Sequence, residues 1–379
     1  MGNFLKFFLN LFGGSDNSVL GIDIGSSSVK VVQLRKKAGQ AILETYGELA
    51  LGPYANLEIG RATRLPIDKI AEALKDLLRE SNTTTKKCGL AIPLSSSMVS
   101  LIDMPAVDGK QLAQMIPIEA RKYIPVPIAE ITLDWWIIPK EEKTVSNPMA
   151  VPVMMGAEPG PPPADKISVL VVAIHNEAIT KYQELVHAVG IDSTFFEIEI
   201  FSTMRAVLNE ENSTVMIFDM GAASTKLYII DRGIVMVSHT VNRGSQDITL
   251  AMSRALNISV AEAEKLKRES GILARQDSQQ LVEMMSSIVN FTFSEANRVM
   301  HNFQFRNGKS IGGVILTGGG VNLKGFYEMA SKGFSVPVSM ADPFAKLKAP
   351  AFLDPVLKGA GPEFAVAIGV ALRKLQEVK

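Results

Sequence analysis

Apolar positions along the chain fall into short blocks, and one arrangement of blocks occurs twice. Residues 19–34 read VLGIDIGSSSVKVVQL and residues 215–230 read VMIFDMGAASTKLYII. Each is an apolar run, a turn of small residues, and a second apolar run rich in β-branched side chains, which predicts a β-hairpin. Aligned on Asp23 and Asp219, the copies share a glycine (Gly25, Gly221), a serine (Ser28, Ser224) and a lysine (Lys30, Lys226). One such hairpin alone is an ordinary tight turn. Its recurrence with matching flanks marks a duplicated unit.

The pattern between and after the hairpins predicts the remaining elements. Residues 40–51 form a third strand, and 67–80 a helix with Ile67, Ile70, Ala71, Leu74, Leu77 and Leu78 on one face. A buried strand follows at 88–93. This β-β-β-α order opens a mixed α/β sheet packed by helices. The rhythm then breaks. A strand at 97–103, a helix capped by Asp108 and running to Tyr123, and a strand at 130–138 precede a proline-crowded stretch without periodicity. Residues 97–174 thus predict a small α+β insertion with a flexible loop at 139–165. Trp135 and Trp136 are either core residues of its sheet or an aromatic patch for a partner.

A strand at 167–174 and a helix at 176–190 lead to a strand-helix at 191–209 and the second hairpin. A strand at 234–242 and helices at 245–256, 260–270 and 276–305 follow. Residues 311–316 end as a strand in Thr317-Gly318-Gly319-Gly320-Val321-Asn322. A strand, a glycine run and a helix bring backbone close to a ligand at a helix amino end. A last helix starts at Pro362 and runs to 376, with Ala365, Ala367, Gly369 and Ala371 small enough for close packing.

Composition narrows the chemistry. With 379 residues the chain forms several domains, or two lobes around a cleft. Basic and acidic residues balance at 39 each, so no overall field favours nucleic acid. Cys88 is the sole cysteine, which rules out internal disulfides and thiolate metal clusters, and the four histidines share no ligand spacing. Residues 1–14 (MGNFLKFFLNLFGG) are strongly apolar with Lys6 as their one charge. They lie on a membrane or partner, or fold back onto the chain's own core. Asn307-Gly308-Lys309-Ser310 ends like a P-loop but has Phe303 where the first glycine belongs, and Leu323 breaks the dinucleotide fingerprint after the glycine run.

The small residues of each hairpin turn form a nest of backbone N–H groups suited to phosphate oxygens, and an aspartate at the lip suits a hydrated Mg²⁺. In this order, the hairpins, the strand-helix at 195–207, the glycine loop at 313–325 and the segment 360–372 resemble the five segments of the actin-like ATPase superfamily. More narrowly, LGIDIGSSSVKVVQL, ARKYIPVPIAEITLDW and EFAVAIGVAL resemble the PilM family of type IV pilus assembly, which is related to the cell-division protein FtsA.

The resemblance implies an actin-like (ribonuclease H-like) two-lobed fold. Its parts are an apolar segment 1–18, a first lobe of 19–96 and 175–210, the insertion 97–174, and a second lobe 211–379. It implies ATP and Mg²⁺ as cofactors. Asp23 and Asp219 hold the ion through water. Gly25, Ser26, Ser27, Ser28, Gly221, Ala222 and Ser224 wrap the phosphates, with Lys30 as counter-charge. Lys226 either joins Lys30 or is a solvated strand residue. Glu264 and Lys267 hold the ribose, although Glu262 and Lys265 repeat that spacing. Gly318, Gly319, Gly320 and Asn322 line the adenine. Glu199 orients the attacking water, with Glu197 as rival and slow ATP hydrolysis at most. The implied role is a cytoplasmic scaffold, peripheral to the inner membrane, that binds the N-terminal tail of a PilN-like protein beside the insertion. It reaches the membrane through that partner or through residues 1–12, and self-associates. The alternatives are an FtsA-like polymer at the membrane and a small-molecule kinase of the same fold.

Overall fold

The structure is a computed structural model that describes residues 17–124, 126–138, 166–209, 213–272 and 279–378. The apolar amino segment, the proline-rich loop at 139–165 and the start of the helix expected at 276 lie wholly or largely outside the described residues. In chain order the elements begin with strands β1 (Ser18–Ile24), β2 (Ser28–Lys37) and β3 (Gln40–Ala50), helix α1 (Ile67–Glu80) and β4 (Lys87–Ile92). Next come β5 (Ser97–Pro105), α2 (Gly109–Ala120), β6 (Ile131–Ile138) and β7 (Lys166–His175). The chain continues through α3 (Asn176–Val189), β8 (Asp192–Ile198), α4 (Glu199–Val207), β9 (Thr214–Met220), β10 (Thr225–Asp231) and β11 (Ile234–Val241). Helices α5 (Ser245–Leu256), α6 (Val260–Ser270) and α7 (Gln279–Asn307) precede β12 (Gly313–Thr317), α8 (Phe326–Gly333), β13 (Val338–Met340) and α9 (Asp354–Gln376).

The chain folds as two compact units, a smaller one of Ser97–Asn176 and a larger one formed by the residues on either side of it. The larger unit carries two five-stranded sheets of the same plan, β3-β2-β1-β4-β8 and β11-β10-β9-β12-β13. Each opens with the repeated hairpin, and the registers coincide: Asp23 faces Lys30 across the first and Asp219 faces Lys226 across the second. Parallel strands then extend each sheet on the β1 or β9 side. Behind the first sheet, Ala71, Leu74 and Leu77 of α1 and Leu185 of α3 close on Leu20, Ile22, Val29 and Val31. On the second, α7 presents Val289, Phe293, Ala296, Met300 and Phe303 at helical spacing. Phe293, Phe218, Phe326 and Phe334 pack as a cluster of tilted and edge-on rings.

Helix α9 begins at Asp354, not at Pro362 as its proline suggested. Pro355 occupies the first turn, where a missing N–H costs nothing, whereas Pro362 sits inside the helix. The Pro362 carbonyl also accepts from the Gly318 N–H and the Thr317 hydroxyl, both at 2.8 Å. These tertiary bonds tie the helix to the end of β12. The helix is long and apolar enough to cross a bilayer, but 61% of its apolar window is buried inside the fold, as in the core helix of a globular unit. Its small residues permit backbone contact: a Cβ on Gly21 would strike the Ala367 carbonyl, and one on Gly369 the Ser202 carbonyl.

The smaller unit is a three-stranded antiparallel sheet, β5-β7-β6, covered by α2. Asp108 caps that helix, accepting from the Lys110 and Gln111 N–H groups at 2.9 and 3.0 Å. The helix ends at Ala120, before the expected Tyr123, because Lys122 and Tyr123 bond three residues back and tighten the last turn. Strand alternation separates the tryptophans. Trp135 packs with Leu133 on the core, while Trp136 is 48% exposed.

Candidate functional site

The two hairpin turns face one cavity of about 870 Å³ within the larger unit. Its wall includes Asp23, Gly25, Ser26, Ser27, Ser28 and Lys30 from one turn, and Asp219, Gly221, Ala222, Ser224 and Lys226 from the other. Glu264 and Lys267 of α6, Gly318, Gly319, Gly320 and Asn322 after β12, and Glu199 at the start of α4 complete the set expected from sequence. Glu48, Arg268 and Glu363 also line it and were not anticipated.

The turns are built alike. The Gly25 N–H donates to the Ser28 carbonyl and the Gly221 N–H to the Ser224 carbonyl, each at 2.9 Å. The Ser26 and Ser27 carbonyls accept from Thr63 and Leu51, and those of Gly221 and Ala222 from Ser245 and Gln246. None of these four carbonyls is left to repel an anion, which is what an anion nest requires. Gly318 closes the wall with φ +86° and ψ 156°, a region open essentially to glycine, and a Cβ there would overlap Asp219 Oδ1.

The charges are arranged in opposed pairs. Burial pushes the Asp23 carboxyl up to about 6, with Lys30 opposing the shift, and burial likewise raises Asp219 against Lys226. Lys30 Nζ donates to Ser28 Oγ at 2.7 Å and pairs with Glu48 at 3.0 Å, its neighbour across β2 and β3. Burial would lower this ammonium, yet Glu48, Asp23 and Glu363 leave it above its usual value. The second copy has diverged. Lys226 stands opposite Thr240 rather than a carboxylate, and its side chain reaches Glu199 Oε2 at 2.6 Å. Lys226 is therefore no solvated strand residue.

Glu199 is 4% exposed, and its other oxygen accepts the Leu94 N–H at 2.6 Å. Its rival Glu197 is not part of the cavity wall. It holds Arg205 through both oxygens at 2.7 and 2.8 Å, Arg373 at 2.7 Å and the Ser202 hydroxyl at 2.5 Å.

On α6 the two pairs of equal spacing have different surroundings. Glu262 is consumed in a capping box with Ser259, and Lys265 is an exposed rim residue 4.0 Å from Glu269. Glu264 and Lys267 form the buried pair at 2.6 Å, tied together by the Thr249 hydroxyl. Burial would raise the Glu264 carboxyl, but Lys267, Thr249 and Arg268 hold it at about 2. Burial lowers Lys267. Across the cavity mouth, the 52–66 connection reaches α5 and α6. Glu58 accepts the Val260 N–H at 2.8 Å, and the Ala62 N–H donates to Gln246 at 2.6 Å. Nothing in composition or periodicity signalled that strap.

Two buried carboxylates with raised pKa values and two lysines on facing turns suit a polyanion carrying a hydrated cation. Among the described residues, no group of three or more His, Cys, Asp or Glu side chains is placed to hold a metal ion directly.

Comparison with known proteins adds the following. The sequence profile of the family described as type IV pilus assembly protein PilM matches residues 21–159 and 153–375. Cell division protein FtsA of Neisseria meningitidis serogroup B is 24% identical over 190 residues, 44% of this chain and 46% of that protein. The chain thus spans about half the length of that curated relative. Among solved structures, a PilM–PilN type IV pilus biogenesis complex superposes with TM-score 0.76 at 23% identity, covering 94% of this chain and 98% of the other. The ethanolamine utilization protein EutJ of Carboxydothermus hydrogenoformans superposes with TM-score 0.53 at 12% identity, covering 95% and 90%. The actin-like α/β fold is common ground to these matches.

Proposed function

The chain belongs to the type IV pilus assembly protein PilM family, and from that premise we propose that it is an ATP-binding scaffold of pilus or related secretion assembly. The observation that carries the nucleotide reading is the pair of Asp–Lys turns facing one cavity, with Glu264, Lys267 and the Gly318–Gly320 run on its remaining wall. Mg²⁺-ATP, when bound, would supply a multiply charged phosphate chain between the facing turns. Asp23 and Asp219 would hold the ion through water, and Lys30 and Lys226 would offset the phosphate charge. Gly25, Ser26, Ser27, Ser28, Gly221, Ala222 and Ser224 present backbone to the phosphates. Glu264 and Lys267 take the ribose hydroxyls, while Gly318, Gly319, Gly320 and Asn322 flank the adenine.

Turnover is slow or absent in this reading. A general base must present a lone pair to the attacking water. Glu199 accepts from Lys226 through one oxygen and from the Leu94 N–H through the other. Its carboxylate is thus already oriented by two protein partners, with Lys226 offsetting its charge. ATP then serves mainly to hold one conformation.

The partner is the N-terminal cytoplasmic tail of a PilN-like inner-membrane protein, taken up as an extended peptide beside the smaller unit. Support comes from the likeness to a protein solved with PilN and from the exposed Trp136 and Ile137 on edge strand β6. In this reading the protein works in the cytoplasm, peripheral to the inner membrane. The test is calorimetric titration of the full chain with Mg²⁺-ATP. Binding should be saturable and lost in Lys226→Met. Absence of heat or of thermal stabilisation at millimolar ATP refutes the nucleotide reading.

A further inference from the structure

The connection between β3 and α1 starts and ends on the first hairpin turn. The Leu51 N–H donates to the Ser27 carbonyl at 2.8 Å, and the Thr63 N–H to the Ser26 carbonyl at 2.7 Å. Between those points the chain is held to itself and to α1. The Leu57 N–H bonds the Gly52 carbonyl at 2.9 Å, Asn56 takes the left-handed φ of 54°, and the Tyr54 hydroxyl donates to Asp76 at 2.7 Å. A loop tied at this many points moves as one piece.

From that base the strap reaches across the cavity. The Ala62 N–H donates to Gln246 Oε1 at 2.6 Å, and the Gln246 N–H donates in turn to the Ala222 carbonyl at 3.0 Å. One residue of α5 thus joins the strap to the second hairpin turn. Farther along, Glu58 Oε2 accepts the Val260 N–H, at the start of α6, at 2.8 Å. Between these two bonds Gly60, with φ +94°, lies against Glu264: a Cβ there would sit 2.8 Å from Glu264 Cγ. Only glycine takes that backbone angle without strain and leaves the strap this close. Gly60 and Ile59 belong to the cavity wall, and Ile59, 51% exposed, brings an apolar side chain to its rim.

We infer that residues 58–63 form a gate over the sugar end of the nucleotide site, held shut by Glu58 and Gln246 as positioning residues. The inference rests on the nucleotide reading above and adds how the ligand enters and leaves. The strap runs from the first turn, where the phosphates bind in that reading, to Glu264, where the ribose binds. A nucleotide in that orientation lies beneath it, and passage requires the two crossing bonds to break. The groups in those bonds are the Ala62 and Val260 N–H and the side chains of Gln246 and Glu58, none of which is assigned to the ligand. Their strength therefore cancels from the affinity and appears in the barrier to opening, which entry and exit share.

The test is rapid-filtration exchange of radiolabelled Mg²⁺-ATP on the full chain. An unlabelled chase gives the dissociation rate, and the time course of uptake gives the association rate. Gln246→Met and Glu58→Met each remove one acceptor. Glu58 is exposed and Gln246 half-buried, so neither change empties the core. Each should raise both rates by about 3- to 10-fold, and the double variant by about 10- to 100-fold, with Kd held within about twofold. Glu58→Gln keeps an acceptor for the Val260 N–H and should exchange at nearly the wild-type rate. Unchanged rates in the double variant overturn the gate, because the ligand then passes elsewhere. A rise in dissociation alone, with Kd weakened to match, also overturns it, because these groups then only support the bound state. Both outcomes leave the nucleotide reading standing, whereas a wild type that binds no ATP ends the two together.

Discussion

Asp23 offers a test in which the magnitude follows from the structure. Its carboxyl is raised from 3.8 to about 6, first by burial, with Lys30 working the other way. That gap corresponds to about 3 kcal/mol at about 1.36 kcal/mol per unit. A carboxylate raised on folding stabilises the native state fully below pH about 4, and the contribution is lost as pH rises through about 6. At neutral pH the free protein therefore carries a destabilising charge that a bound cation would compensate. Asp23→Asn removes the charge and keeps the shape. The side chain keeps some contact with cavity water, and a buried amide needs its own hydrogen bonds, so the net gain should be about 1–3 kcal/mol. For a unit of this size that is roughly a 2–5 °C rise in melting temperature at pH 7 in EDTA. At pH 5, where the native carboxyl is largely protonated but the unfolded one is not, about half of the difference should remain, and it should close only below pH about 4. Mg²⁺-ATP should then stabilise the wild type and leave the variant unmoved. A variant that melts lower than wild type at pH 7, or a difference that is the same at pH 5, refutes the reasoning.

Other substitutions separate the roles of neighbouring groups. Lys267→Met leaves Glu264 buried without its 2.6 Å partner; it should cost about 3 kcal/mol in urea unfolding and weaken ATP binding at least tenfold. Gly318→Ala forces a side chain into a glycine-only region against Asp219, and should cost roughly 1–3 kcal/mol while lowering nucleotide affinity in the same titration. Glu197→Gln disrupts the Arg205 and Arg373 cluster; stability should fall by about 2–4 kcal/mol with ATP affinity per folded molecule unchanged. Equal loss of affinity in that variant would return Glu197 to the site.

The hairpins are legible in the sequence because their chemistry is local: a small-residue turn, period-two flanks and an aspartate–lysine register repeated without change. The capping box of Ser259 and Glu262 fixes the start of α6 for the same reason. What escapes is whatever depends on contacts distant in the chain. Glu48 meets Lys30 only once β2 and β3 are aligned, and that register slips at Gln33 and Leu34. Pro362 reads as a helix start because nothing local shows that Thr317 and Gly318 will bond its carbonyl. The tryptophan pair cannot be assigned to core or surface until the strand's faces are known. Glu199 reads in sequence as the residue that orients the attacking water, and only the fold brings Lys226 and the Leu94 N–H to its two oxygens.

The crossing of α4 and α9 at Gly369 and the Ser202 carbonyl has a mechanical consequence. With backbone against backbone and no side chain between, the helices have nothing to slide over, so the crossing behaves as a pin rather than a bearing surface. Glu363, on the cavity wall, lies about 9 Å along α9 from that pin, at about 1.5 Å per residue. Gly21 against the Ala367 carbonyl pins the same helix a second time, so α9 is held at two points and cannot turn about either. Widening Gly369 to alanine would push α4 and α9 apart and loosen one of the two fastenings.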